Sequence, residues 1–228
     1  MEKIHVLLVE DEDILSTIIK ETLELRGFRF TIARNGIEGW KSFQSEKPDI
    51  CVVDVMMPRK DGFSLVEDIR VVDQRTPVIF LTAKNQTPDV LKGLKIGADD
   101  YMKKPFSMEE LILRIQKLTR RIEYFTPEQE QQVTVIGQFS FNCHGMELII
   151  DGKSLNLSQR ETELLHLLVQ SKNQLLDRNT ALLKLWGDNN PFAARSMDVY
   201  ITRLRKLLSA DPNVEIINIR NKGYKLKD

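Results

Sequence analysis

An α/β fold in two parts is predicted by three observations. Short aliphatic runs alternate with amphipathic stretches through residues 1–121, several of those runs end in carboxylates, and beyond residue 132 the pattern changes. The first pattern is that of a five-stranded parallel, doubly wound sheet with helices on both faces. The second, short strand-like runs and then three helical stretches, is a smaller α+β domain. A chain of 228 residues also suits two small domains better than one large one.

Each element follows in order. Residues 4–9 make strand one, and Asp13 is read as the cap of a helix to about Leu25 with Ile14, Ile18, Leu25 and neighbours on one face. Gly27 ends it. Strands at 28–33, 49–53, 77–81 and 99–103 alternate with helices at 36–44, after Gly62, and at about 87–96 closed by Gly97. Ser107, with Glu110 three residues on, opens a last helix as a capping box. Residues 122–132 lose all periodicity and read as a linker.

Composition narrows the function classes. The 33 basic residues balance the 33 acidic ones, so overall charge argues neither for nor against nucleic acid. Between Arg195 and Lys227, however, eight basic residues stand against three acidic ones, the electrostatic footprint of a phosphate-backbone binder. Cys51 and Cys143 read as free thiols in a reducing compartment. No stretch has the roughly 20 apolar residues of a membrane span, and the N-terminus runs straight into a strand. A cytoplasmic protein with no membrane partner is expected.

The chemistry gathers at strand ends, where ligands collect in an open parallel sheet. Strand one runs into Glu10-Asp11, strand three into Asp54, strand four into Thr82, and Lys104 follows strand five. Acids brought to one rim repel one another unless a cation sits between them, and hard oxygens suit Mg²⁺. Asp54 is the candidate nucleophile, able to form an acyl phosphate. Glu10 and Asp11 would hold the ion, Lys104 would pair with a phosphoryl oxygen, and Thr82 would hydrogen-bond another.

With these residues in view, positions 1–121 resemble a response-regulator receiver domain. The matching pieces are Val9-Glu10-Asp11, Asp54 with Met57-Pro58 and Asp61-Gly62, Leu81-Thr82-Ala83, and the stretch from Gly97 to Phe106 that carries Lys104-Pro105. The resemblance implies that Asp54 accepts a phosphoryl group from a sensor histidine kinase. It implies Mg²⁺ on Asp11, Asp54 and the Met56 backbone carbonyl, with Glu10 helping through water. A cis Lys104-Pro105 bond and a Thr82/Tyr101 switch pair follow from the same likeness.

The second half reads as strands at 133–136, 138–142, 147–150 and 154–156, then helices opened by Ser158 with Glu161, at 178–186, and at about 195–209. On the third helix, Met197, Ile201, Leu204 and Leu208 form one buried stripe. The opposite face is read as Ser196, Val199, Tyr200, Arg203 and Lys206. A hairpin with the basic tip Arg220-Asn221-Lys222-Gly223 closes the chain. This half resembles the winged helix-turn-helix of the OmpR/PhoB family of response regulators. The likeness implies double-stranded promoter DNA as partner, with Tyr200, Arg203 and Arg205 in the major groove, Arg195 on phosphate, and Arg220 with Lys222 at the wing. For Arg205 a salt bridge within the domain is an equal reading. Trp186 reads as a core anchor, and 187–194 as the loop with which members touch RNA polymerase.

The family likeness also implies a homodimer on phosphorylation, through cross-subunit pairs of Asp100 with Arg114 and Asp99 with Arg121. Glu110 matches a third pair, but its basic partner position is Val90 here, leaving that pair absent or rebuilt with Lys92. Two rival readings stand beside this one. An aspartyl-phosphate hydrolase would need an acid where Met56 stands, so an enzyme is not expected. A constitutive DNA binder whose receiver only dimerises would favour an incomplete acidic cluster, and here the cluster is complete.

Overall fold

The computed structural model describes residues 3–83, 92–93, 96–119, 133–187, 189 and 191–228, with backbone only at 192. The chain divides into two compact units, Met1–Arg121 and Ile122–Asp228.

The first unit is a parallel sheet of β1 (His5–Val9), β2 (Arg29–Ala33), β3 (Ile50–Asp54), β4 (Val78–Thr82) and β5 (Asp100–Lys103), in the order β2-β1-β3-β4-β5. β1, β3 and β4 are buried along their whole length, as unbroken aliphatic strands between two helix layers must be. Helices α1 (Asp13–Leu25), α2 (Gly36–Glu46), α3 (Gly62–Val72) and α4 (Met108–Thr119) accompany it. Of the expected helix at 87–96 only Lys92, Gly93 and Ile96 fall within the described residues, and they are helical. The linker expected at 122–132 lies outside them.

One local expectation is sharpened and two are corrected. The face of α1 with Ile14, Ile18 and Leu25 is the outer one, at 79%, 48% and 87% exposure, while Ile19 and Leu23 are buried. The helix carries apolar side chains on adjacent stripes, and the sheet accepts only one of them. Asp13 is the first helical residue rather than the cap, and its carboxylate pairs with Arg34 at 2.8 Å. Ser107 does accept from the Glu110 N–H at 3.0 Å, but the Glu110 carboxylate turns to Arg114 at 2.7 Å, so only half of that capping box forms.

The second unit has a four-stranded antiparallel sheet of β6 (Val133–Ile136), β7 (Phe139–Asn142), β8 (Glu147–Ile150) and β9 (Lys153–Asn156), in sequential order. A second sheet, in the order β10-β12-β11, joins β10 (Leu176–Asp177), β12 (Gly223–Lys227) and β11 (Glu215–Ile219). Between them lie α5 (Gln159–Gln170), α6 (Arg178–Trp186) and α7 (Pro191–Leu208). Ser158 and Glu161 complete their capping box at the head of α5, and Gly187, at φ +76°, ends α6. α7 starts four residues earlier than the sequence suggests. Pro191 takes its first turn, where a missing N–H is harmless and φ is already helical. Residues 191–194 therefore belong to the helix and not to the loop before it. Met197, Ile201, Leu204 and Leu208 are buried as one stripe in a core that also holds Leu165, Leu168 and Trp186.

Candidate functional site

Neighbouring β1 and β3 bring their C-terminal acids to one rim. Glu10 is fully buried and Asp54 is 5% exposed. The Lys104 ammonium lies between them, 2.7 Å from Asp54 Oδ2 and 2.8 Å from Glu10 Oε2. It also stands 3.3 Å from Glu12 Oε1. The backbone N–H of Met56 donates to Asp54 Oδ1 at 2.9 Å, fixing the carboxylate from its other side. The Lys104-Pro105 peptide is cis, and the Lys104 N–H donates to the Thr82 carbonyl at 2.8 Å. β4, β5 and the turn after β5 therefore present Thr82 and Lys104 together.

Burial pushes the Glu10 carboxyl up to about 7; the Asp54 charge adds to the rise and the Lys104 ammonium opposes it. Burial also works against the charge on Lys104, but hydrogen bonds to Asp54 and Glu10 outweigh it and hold the ammonium above its ordinary value. Oxygens of Glu10, Glu12 and Asp54 lie within 4.8 Å of one another. Three carboxylates against a single ammonium make a hard-oxygen donor set with spare negative charge, and this fits a divalent cation. Asp11, expected among the ligands, is exposed and is not one of these three. Glu12, which sequence spacing did not single out, stands in the cluster as well. The signal was the unbroken acid run from Glu10 to Asp13.

The loop after Asp54 is folded tightly. A Cβ on Gly62 would stand 2.2 Å from the Asp54 carbonyl oxygen, so only glycine lets α3 begin there. Tyr101 is 7% exposed, its ring edge-on to Phe80 at 6.0 Å, and Thr82 is fully buried.

The dimer residues fall differently from expectation. Asp99 is buried with Arg70, its Oδ2 accepting from Arg70 Nη2 at 3.0 Å and from the Val78 N–H at 2.9 Å. Its carboxylate is committed inside the unit, which corrects its assignment to a cross-subunit pair. Asp100, Arg114 and Glu110 form one network within the chain, at 2.6 Å and 2.7 Å from the guanidinium. Arg121 and Val90 lie outside the described residues. The Lys92 ammonium stands 4.7 Å from the centre of the Phe63 ring.

In the second unit two uncharged residues expected on the outer face of α7 lie inside instead. Tyr200 is 1% exposed, packed 6.2 Å from Trp186 in the core, so it is not on the outer face where it was expected. Ser196 is buried too. Arg203 lies over the Tyr200 ring and 3.9 Å from Glu161. Arg205 Nε donates to the Ile216 carbonyl at 2.9 Å, an internal bond to the backbone rather than the salt bridge of the equal reading. Arg195 is half-buried, while Arg220 and Lys222 at the wing are exposed. Asp198, Arg178 and Tyr224, none of them singled out beforehand, converge beside these residues.

Comparison with known proteins decides the family. Residues 6–116 match the response regulator receiver domain, and residues 152–226 match the C-terminal domain of transcriptional regulatory proteins. The transcriptional regulatory protein RprY of Bacteroides fragilis is 48% identical over 225 residues, spanning 99% of this chain and 95% of that one. The chain belongs to the OmpR/PhoB family of response regulators. This response regulator is also similar to PhoP of Bacillus subtilis, a regulator of alkaline phosphatase synthesis, at 34% over 232 residues and 98% and 96% of the two chains. Among solved structures, DrrB of Thermotoga maritima, an OmpR/PhoB homologue, is 27% identical with both chains fully covered and a TM-score of 0.51. The response regulator is thus a two-component transcriptional regulator rather than a classical enzyme. Its receiver domain answers a histidine kinase and its C-terminal domain binds DNA. Among the described residues no helix is long and apolar enough to cross a membrane.

Proposed function

We propose that a histidine kinase transfers its phosphoryl group to Asp54, and that the adduct switches the receiver, promotes dimerisation and controls binding to promoter DNA in the cytoplasm. The observation that carries this reading is the grip on Asp54. Its carboxylate is buried at the strand-end rim, with one oxygen on Lys104 and the other on the Met56 N–H. An Asp54 oxygen attacks phosphorus, the bond to the kinase imidazole breaks, and an acyl phosphate forms. Lys104 exchanges its carboxylate partner for a phosphoryl oxygen, and the Thr82 hydroxyl donates to another.

Asp54, Asp11 and the Met56 carbonyl, with Glu10 beside them, would hold Mg²⁺. That ion supplies positive charge against the phosphoryl oxygens. Tyr101, already packed on Phe80, fills the space behind a displaced Thr82. Dimerisation uses Asp100, Arg114 and Glu110, which trade their bonds within the chain for bonds across a two-fold axis. Arg195 meets phosphate, α7 enters the major groove, and Arg220 with Lys222 reach the minor groove. The turn before α7 faces RNA polymerase.

The deciding experiment treats wild type and Asp54→Ala with acetyl phosphate and Mg²⁺ and reads intact mass. One added phosphoryl group on wild type alone is the expected result. A promoter affinity that stays the same across phosphorylated wild type and Asp54→Ala would instead make the protein a constitutive binder.

A further inference from the structure

One carboxylate ties three elements of the DNA-binding unit together. Asp198, on α7, accepts at Oδ1 from Arg178 Nη1 and from the Tyr224 hydroxyl, both at 2.7 Å. Arg178 opens α6, and its Nη2 donates to the Ala194 carbonyl of α7 at 2.9 Å. Its backbone N–H donates to the Lys222 carbonyl in the wing turn at 2.9 Å, and its guanidinium also bonds the Tyr224 hydroxyl. The close approach is built into the backbone. A Cβ on Gly223 would stand 2.0 Å from the Leu176 carbonyl oxygen and 2.8 Å from the Arg178 nitrogen.

The position of this acid is electrostatically costly. The Asp198 side chain is 55% exposed, and it stands three residues after Arg195, on the surface that meets phosphates. A negative charge there opposes binding to every DNA sequence alike. What it provides in exchange is geometry. Phosphate attraction tolerates a helix and a wing that shift against each other. Reading base edges in one groove while reaching into the next does not, because both sets of side chains must arrive in register.

We propose that Asp198 is a positioning residue for DNA reading. Through Arg178 and Tyr224 it fixes α7 and the wing as one rigid reader, so that the residues of the major groove and of the minor groove engage together. This rests on the reading of the α7 and wing surface as the DNA interface.

The test uses the full-length protein and two duplexes, one selected from a random-sequence pool by the wild type and one a scramble of it. Asp198→Asn removes the charge, whereas Tyr224→Phe removes one donor and keeps both the charge and the ring. Each variant is expected to bind the selected duplex about tenfold more weakly. Affinity for the scramble should hold in Tyr224→Phe and hold or rise in Asp198→Asn, so the ratio between duplexes falls in both. Tighter binding of both duplexes by Asp198→Asn would make the acid a charge effect only and overturn the proposal. Unchanged ratios would overturn it too, as would equal losses on both duplexes accompanied by a lower melting temperature. If Arg195→Ala and Arg220→Ala bind both duplexes as the wild type does, the interface reading itself fails. Wild-type discrimination that survives both clamp variants sinks the clamp alone.

Discussion

The strand-end acid cluster and the surface of α7 and the wing carry charge in opposite ways. In the receiver, Glu10 and Asp54 are buried and their counter-charge, Lys104, is half-buried against them. In the DNA-binding unit the groups with the clearest access to a partner, Arg220 and Lys222, stand in solvent at the tip of a turn. A side chain at the end of a buried strand has one direction to point, fixed by the pleat and by the strands on either side. A side chain on a helix points wherever the packing of the other faces leaves it, and sequence spacing alone leaves that rotation open. Strand-end chemistry is therefore readable residue by residue, while helix-surface chemistry is readable only as a stripe. Tyr200 and Asp99 mark two failures of residue-level reading, one on a helix and one just before an edge strand. Both were expected at an intermolecular surface, and both are buried.

The sharpest way to break this contrast is Asp99→Asn. If Asp99 serves the inside of the receiver, the variant leaves the buried Arg70 without its counter-charge and lowers unfolding free energy by about 3 kcal/mol in urea. Backbone acceptors at Gly97 and Thr76 keep part of the guanidinium bonded and hold the loss near that value. A dimer constant that collapses while stability stays put would return Asp99 to the subunit interface. Arg205→Ala probes the other unit and is milder. It forfeits the hydrogen bond to Ile216 and about 1 kcal/mol of stability, with the preference for a selected duplex retained; a lost preference would put Arg205 back in the groove.

The smallest effect concerns the opposite end of the sheet from the phosphoryl rim. His5 is buried, with Nε2 2.9 Å from Thr31 Oγ1 and Nδ1 3.0 Å from Arg29 Nη2. Burial, then the Arg29 charge, holds its pKa below the ordinary 6.5, against the pull of Glu46 and Asp49. The unfolded chain thus takes up this proton at higher pH than the folded one. The stability that His5 contributes is full above 6.5 and is lost as pH falls through the lower folded value. Urea midpoints measured from pH 8 down to about 5 should decline more steeply for wild type than for His5→Asn. Parallel slopes would show that the proton is not felt.

Much of the fold was legible because its signals are redundant. Five aliphatic runs, glycines at helix ends and acids at strand ends all agree on a parallel sheet, and the observed order puts β1 beside β3 as the acids require. The buried stripe of α7 emerged from spacing alone. The buried side of α1 did not, because Ile14 and Ile18 compete with Leu15 and Ile19 one position away, and only the sheet decides between them. Glu12 escaped notice because its reach to Lys104 depends on how the acid run enters α1. The clamp at Asp198 escaped because its three members are 20 and 26 residues apart in sequence and meet only when the wing folds back.

The glycine behind the nucleophile has a directional consequence. With the Asp54 carbonyl pressed against the first residue of α3, that helix is a wall with no give. On the proposed phosphorylation of Asp54, room for the new substituent would be found on the far side, where β4 and β5 carry Thr82 and Tyr101. Position 62 would then make the receiver a one-way hinge, its response aimed before any phosphate arrives.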